Sequence, residues 1–171
     1  MILDGKTITE KGYVTFPKDT LFDTEEQLQP NGVDLRLHEV RHVGGRADLP
    51  RDGRIDAQSV TINEITPKNG WFELDQMHGN YLVDFMENIR VPERFCAIII
   101  TRSSLVRVGC DFVTGLWDSG FSGRLGASVR LRNPVRIQYG ARAAQVVFQQ
   151  STFRGHTYNG AYQGTSQSEF K

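Results

Sequence analysis

Arg102, Ser103, Ser104 and Arg107 place two permanent cations and two hydroxyl donors within six residues. That density of donors suits the oxygens of a polyphosphate. Asp118 follows in an apolar neighbourhood, where a carboxylate beside bound phosphates can orient and deprotonate a water for attack on phosphorus. Between the two, Cys110 to Trp117 is β-prone, and its Thr114-Gly115 step lets backbone turn and approach a flat ligand closely. Taken one residue at a time, the competing reading is a buried strand pair topped by a surface arginine cluster.

The elements that must position these groups can be read from pattern. Phe95 to Thr101 is a continuous apolar run, expected to be a strand that feeds the arginine segment. Ser103 or Ser104 can cap one helical turn through Val108, whose first amides would join the side-chain donors, and Gln145 adds a neutral donor from a later strand. Upstream, Leu3 to Gly12 predicts a short helix with Asp4 as cap and Gly12 as stop. Tyr13 to Phe16 begins strand-like alternation that Pro17 interrupts. Val33 to Val40 alternates as a half-buried strand with Asp34 on its polar register, after the Pro30-Asn31-Gly32 turn. Residues 43–58 lack periodicity and read as an exposed excursion. Thr61 to Ile65, Trp71 to Leu74 and Tyr81 to Phe85 read as further short strands between turn signals.

Composition narrows the class. The formal net charge is zero, yet residues 1–101 hold 11 Lys/Arg against 17 Asp/Glu, while residues 102–168 hold 8 Arg against only Asp111 and Asp118. An arginine-rich half with two carboxylates fits a compact, multiply anionic ligand better than a nucleic-acid track, because it contains no lysine and no run of like charge. Seventeen glycines in 171 residues favour many short elements joined by turns, hence a single all-β domain over residues 1–171. No apolar run reaches membrane-spanning length, and Met-Ile-Leu-Asp lacks the order of a signal peptide, so a cytoplasmic protein is expected. Cys96 and Cys110 read as reduced core residues, and His38, His42, His78 and His156 are too scattered for a metal cluster.

The motifs together resemble the dUTPase and dCTP deaminase superfamily. Arg102-Ser103-Ser104-Leu105 and the segment 115–123, Gly-Leu-Trp-Asp-Ser-Gly-Phe-Ser-Gly, look like its second and third motifs. Residues 29–37, Gln-Pro-Asn-Gly-Val-Asp-Leu-Arg-Leu, resemble its first, residues 139–145, Tyr-Gly-Ala-Arg-Ala-Ala-Gln, its fourth, and residues 158–164 a deaminase-type arm. The resemblance implies a distorted β-barrel or jelly roll with one or two short helices, assembled as a homotrimer whose active sites lie between subunits. It implies that Arg102, Ser103, Ser104, Arg107 and Gln145 hold the triphosphate of a pyrimidine deoxynucleotide, that main chain around Thr114 and Gly115 reads the base, and that Phe121 stacks on the deoxyribose. Asp118 is implied as the catalytic carboxylate that orients and deprotonates the attacking water. Mg2+ is implied as cofactor, with Asp34 touching it through water. Residues 155–171 are expected to be a mobile arm that closes over the site through Tyr158, Tyr162 and Gln163.

One position separates the two activities of that superfamily. Its deaminases carry a glutamate ten residues after the aspartate matching Asp118, and here that residue is Ser128, in a segment with no acid. Hydrolytic deamination then lacks an evident proton shuttle. The expectation is hydrolysis of dUTP to dUMP and pyrophosphate. The alternatives are a dCTP deaminase, alone or bifunctional, action on a modified pyrimidine, and a non-catalytic nucleotide-binding regulator. Ala161 stands where deaminase-type arms carry a lysine, a departure that bears on how the arm meets phosphate.

Overall fold

Asp4 accepts a hydrogen bond from the Thr7 amide at 2.9 Å, which starts α1 (Gly5–Glu10), and Gly12 at φ +64° stops it. In this computed structural model, which describes residues 1–18, 21–51, 55–75, 80–152, 156–160 and 162–164, the chain then builds strands almost throughout. They are β1 (Val14–Thr15), β2 (Leu28–Gln29) after a single 3-10 turn (Glu25–Gln27), β3 (Gly32–Asp48), β4 (Asp56–Glu64), β5 (Trp71–Leu74), β6 (Asn80–Arg90) and β7 (Phe95–Thr101). A second short helix, α2 (Ser103–Arg107), precedes β8 (Cys110–Val113), β9 (Ser122–Leu131), β10 (Val135–Gln138) and β11 (Arg142–Gln150).

The fold is all-β, with open antiparallel sheets in the jelly-roll manner rather than a closed barrel. The main sheet runs β7-β11-β3-β6-β9-β8, with β1 paired to β6 and both β2 and β4 paired to β3; β10 and β5 form a separate pair. The core lies on one face, where Val33, Leu35, Leu37, Phe85, Leu125, Ala127 and Phe148 are buried at 0–1% exposure or less, and the Phe85 and Phe112 rings meet edge-on at 5.6 Å. Ile8 anchors α1 to this core. Cys110 is buried, which pushes its thiol up to about 11, with Asp111 adding to the effect, and Cys96 is half-buried; both are free thiols.

Two sequence expectations change here. The expected excursion at 43–58 is in part a paired ribbon: β3 and β4 stay in register from Arg41↔Glu64 to Arg46↔Ser59. Main-chain pairing suffices to hold such a ribbon, and its exposed side chains leave no periodic signal. Gly45 is required within it, since a Cβ there would sit 2.0 Å from the Ser59 carbonyl oxygen. The first half of β3 is also not half-buried but buried on both faces, so that Asp34 (2% exposed) and Arg36 (7%), on the polar register, are enclosed along with their apolar neighbours.

Enclosed polar groups need partners, and Arg36 has them. Its Nε donates to Gln27 Oε1 at 3.0 Å, Nη1 to the Gly140 carbonyl at 2.9 Å and Nη2 to the Asp23 carbonyl at 3.1 Å, with the guanidinium 4.6 Å above the Phe22 ring. Gly140 is needed beneath that ring, where a Cβ would lie 2.0 Å from Phe22. Gln27 Nε2 donates both to the Asp34 carbonyl and to Glu87 Oε1, each at 2.7 Å, while Glu87 Oε2 accepts from the Arg36 amide at 3.1 Å. Glu87, from β6, therefore ties β3 to the 3-10 turn.

Burial pushes the Glu87 carboxyl from its ordinary 4.5 up to about 7, against the pull of the Gln27 and Arg36 donors. With its folded value above its unfolded one, the native chain holds this proton longer, so stability falls as pH rises from about 4.5 through about 7. Glu87→Gln removes that slope but leaves one of two donors without an acceptor, a cost of about 1–3 kcal/mol. Urea titrations from pH 5 to pH 8 should show a lower, flatter stability profile for the variant than for the parent.

Candidate functional site

Apolar β7 runs into Arg102, whose amide donates to the Ala143 carbonyl at 3.1 Å and whose extended backbone (φ −63°, ψ 141°) makes it the residue before α2. Its guanidinium is held twice, by Nη1 donating to the Arg142 carbonyl at 2.9 Å and by an ion pair from Nε to Asp34 Oδ2 at 3.2 Å. β11 lies between β3 and β7, and the ladder sets Gln145 opposite Asp34 on one side and Ile100 on the other. The result is an open pocket of about 550 Å³ in which Arg102, Ser103, Arg107, Gln145, Gln29 and Asp34 meet. Arg107 is exposed and in the last turn of α2; Ser104 is exposed on the same helix but does not line the pocket.

Asp34 is the electrostatic centre of this pocket. Burial pushes its carboxyl up, and the Arg102, Arg142 and Arg36 guanidiniums pull it back down. Its Oδ2 is 3.7 Å from Arg142 Nη1 as well as 3.2 Å from Arg102, yet neither contact is aligned as a hydrogen bond. An oxygen facing two guanidiniums does not fit a direct ligand for Mg2+. Among the described residues, moreover, no group of three or more His, Cys, Asp or Glu side chains could hold a metal ion. His38 and His42 are half-buried, His156 is exposed, and His78 lies outside the described residues.

The third-motif residues sit elsewhere on the protomer. Trp117 bridges Ala97 with reciprocal hydrogen bonds of 2.9 and 3.0 Å, and Ala97 is four residues before Thr101 on β7, roughly 13 Å along the strand. Asp118 is exposed at this remove from Arg102. It opens a turn closed by the Phe121 amide donating to its carbonyl at 3.1 Å, with Gly120 at φ +90° and the Ser119 hydroxyl donating to the Phe95 carbonyl at 2.6 Å. Thr114 and Gly115 lie between the end of β8 and this bridge, Gly115 exposed with open space at its Cβ position.

Of the expected arm, residues 156–160 and 162–164 can be placed; Gly155, Ala161 and 165–171 lie outside the described residues. The placed part packs on the Asp118 turn of its own chain, not on the arginine pocket. The Tyr158 amide donates to the Ser119 carbonyl at 2.7 Å, Gln163 Nε2 donates to the Gly120 carbonyl at 2.9 Å, and Gln163 Oε1 accepts from the Ser122 amide at 3.2 Å. The Tyr158 ring meets Phe121 edge-on at 5.6 Å, so Phe121 is only 6% exposed; Tyr162 is at the surface, 37% exposed. Gly120 permits this contact, since a Cβ there would be 2.7 Å from Thr157 Cβ.

Ser128 points out of the sheet, and its hydroxyl donates to the Val113 carbonyl at 3.2 Å, fastening the end of β8. The sequence segment around it holds no acid, but the sheet brings one close. Asp84 of β6 pairs with Gly126, two residues from Ser128 and on the same face, buried and bound to Arg41 Nη1 at 2.7 Å. Sequence reasoning passed over Asp84 as it did Gln27, Glu87 and Arg142. The only sign of Arg142 was its place in the fourth-motif segment.

The dCTP deaminase-like family model matches residues 2–151. Among curated relatives, the deoxyuridine 5′-triphosphate nucleotidohydrolase of Methanocaldococcus jannaschii is 31% identical over 142 residues, 82% of this chain and 89% of the relative. The probable deoxyuridine 5′-triphosphate nucleotidohydrolase of Methanosarcina mazei is 34% identical over 148 residues, 82% of this chain and 83% of the relative. Among solved structures, the 2′-deoxycytidine 5′-triphosphate deaminase of Agrobacterium tumefaciens superposes with a TM-score of 0.65 at 19% identity, over 88% of this chain and 48% of that longer one. A family model that spans the fold from its first bridge to the end of β11, together with relatives above 30% identity over four-fifths of the chain, establishes that this protein belongs to the dCTP deaminase-like family.

Proposed function

We propose that the protein hydrolyses dUTP to dUMP and pyrophosphate. The observation that carries this reading is Ser128: where the family's deaminases place a glutamate, this chain has a hydroxyl already engaged with the Val113 carbonyl. The relatives at 31–34% identity named as deoxyuridine triphosphate nucleotidohydrolases support it. Arg102, Ser103, Arg107 and Gln145 bind the triphosphate oxygens, with Asp34 fixing the Arg102 fork in place. Asp118 orients a water and takes its proton as the water attacks phosphorus. Main chain at Thr114 and Gly115 reads the pyrimidine, and Phe121 receives the sugar face. A divalent cation would be held by the substrate's own phosphate oxygens, since Asp34 is committed to arginines.

Within one protomer the Asp118 turn and Arg102 lie towards opposite ends of β7. We therefore place the working site between protomers of a homotrimer, the arginine pocket from one and the Asp118 turn from another. The exposed apolar side chains Ile100, Val106 and Val108 beside the pocket and Val113 and Leu116 beside the turn support such a contact. The described arm residues, docked on the Asp118 turn, belong to a segment that closes over nucleotide.

Deamination of dCTP is the second reading, favoured by the likeness to the Agrobacterium deaminase fold and by Asp84 near Ser128. Incubation with dUTP and with dCTP separates the two: pyrophosphate from dUTP without ammonia from dCTP is expected, and ammonia release would overturn the assignment. Asp118→Asn should lower kcat for pyrophosphate release by about 10²–10⁴-fold while dUTP binding, read by calorimetry, changes little. Refolding equal amounts of Asp118→Asn and Arg102→Ala protomers together should restore roughly a quarter of parental activity, because about that share of all interfaces formed at random pairs an intact aspartate with an intact arginine. No recovery would place both residues in one protomer's site.

A further inference from the structure

A second cleft, of about 640 Å³, opens far from the arginine pocket. Its wall residue His42 lies eight residues along β3 from Asp34, roughly 26 Å away. The cleft's base is a tight hairpin. Lys68 and Trp71 exchange main-chain hydrogen bonds of 2.8 and 3.0 Å across Asn69 (φ +50°) and Gly70 (φ +79°), the two left-handed residues of a type I′ turn. Directly opposed residues of such a hairpin share a face with their Cβ atoms about 5 Å apart, so Lys68 and Trp71 project from one face of the hairpin and both line the cleft.

The remaining walls are equally constrained. The Arg136 guanidinium lies 4.9 Å over the Trp71 ring and pairs with Glu73 at 3.6 Å, which covers one indole face and neutralises that carboxylate. Opposite, the His42 ring meets Tyr81 edge-on at 6.0 Å, and the Tyr81 hydroxyl is fixed by donating to the Asp75 carbonyl at 3.1 Å and accepting from the Asp75 amide at 3.3 Å. Among the described residues, Lys68 has no ion-pair partner, so the cleft presents rings and one uncommitted cation.

We propose that this cleft is a second ligand site, for a nucleoside monophosphate: a flat heterocycle between the rings and its single phosphate on Lys68. The volume suits a ligand of this size, indole and phenol rings offer stacking faces to a base, and one cation matches one phosphate rather than three. This proposal does not rest on dUTP hydrolysis.

Calorimetric titration of the full chain with AMP and with UMP tests it. Saturable binding of at least one is expected, weakened at least tenfold by Lys68→Glu, and weakened at least tenfold when the corresponding nucleoside replaces the nucleotide. Trp71→Phe, which keeps an aromatic ring and so guards against loss of the hairpin, should weaken binding severalfold with unchanged far-UV circular dichroism. Binding of neither nucleotide up to about 10 mM, or equal affinity for nucleotide and nucleoside, overturns the proposal. Pyrophosphate release from dUTP by Lys68→Glu should match the parent, so failure at this cleft is distinguishable from failure of the proposed hydrolysis.

Discussion

The structure depends on how β3 carries charged residues through a place where both of its faces are covered. Asp34 and Arg36 are enclosed in a strand whose neighbours Val33, Leu35 and Leu37 have no exposure. Isolated, either charge would be costly there. Arg36 is satisfied by Gln27 and by two main-chain carbonyls, and its strand is tied by Glu87; Asp34 is compensated in charge by Arg102 and Arg142, without an aligned hydrogen bond to its Oδ2. The same contacts that make the strand tolerable aim Arg102 and Gln145 into one pocket. Stability and site geometry are thus set by one network.

That arrangement also explains the unequal charge of the two halves of the chain. The acids of the first half and the arginines of the second do not form separate regions; they interleave because β11 lies between β3 and β7, β9 lies beside β6, and β10 pairs with β5. Asp34 with Arg102 and Arg142, Glu26 with Arg142, and Glu73 with Arg136 all join the halves. The exposed pairs add little energy. The enclosed ones specify which strands can meet, since a shifted β11 would leave Asp34 without compensation.

Much of this was legible in the sequence, and the exceptions have physical causes. The Asp4 cap, the apolar run of β7 and a helical turn after Arg102 follow from local pattern, although Arg102, not Ser103 or Ser104, stands at the N-cap and no side chain caps the turn; the gathering of Arg102, Ser103, Arg107 and Gln145 rests on the family resemblance of their motifs. Burial of Asp34 and Arg36 follows from neither, because alternation reports only that two faces differ; it cannot report that Phe22 and Gln27 fold back over the polar one. Asp84 and Glu87 drew no reading at all, because nothing in the local pattern of β6 shows that acids at these positions are enclosed. Residues 43–58 showed no periodicity because main-chain pairing, not side-chain burial, holds the ribbon that β3 and β4 form there. The separation of Asp118 from Arg102 was also not readable, since Arg102 and the bridge to Trp117 fall at opposite ends of β7.

The reach of Arg36 to the Gly140 carbonyl spans 104 residues of sequence, and β11, which completes the sheet between β3 and β7, is the last strand in chain order among the described residues. While the chain is still on the ribosome, β3 and β7 each present a bare main-chain edge, and the Asp34 carboxylate waits for its second guanidinium. Pairings of this range are slow to form, and unpaired edges invite association with other chains. Biogenesis is therefore the fragile stage in this protein's life, and truncations that remove β11 should yield aggregates in place of a smaller folded unit.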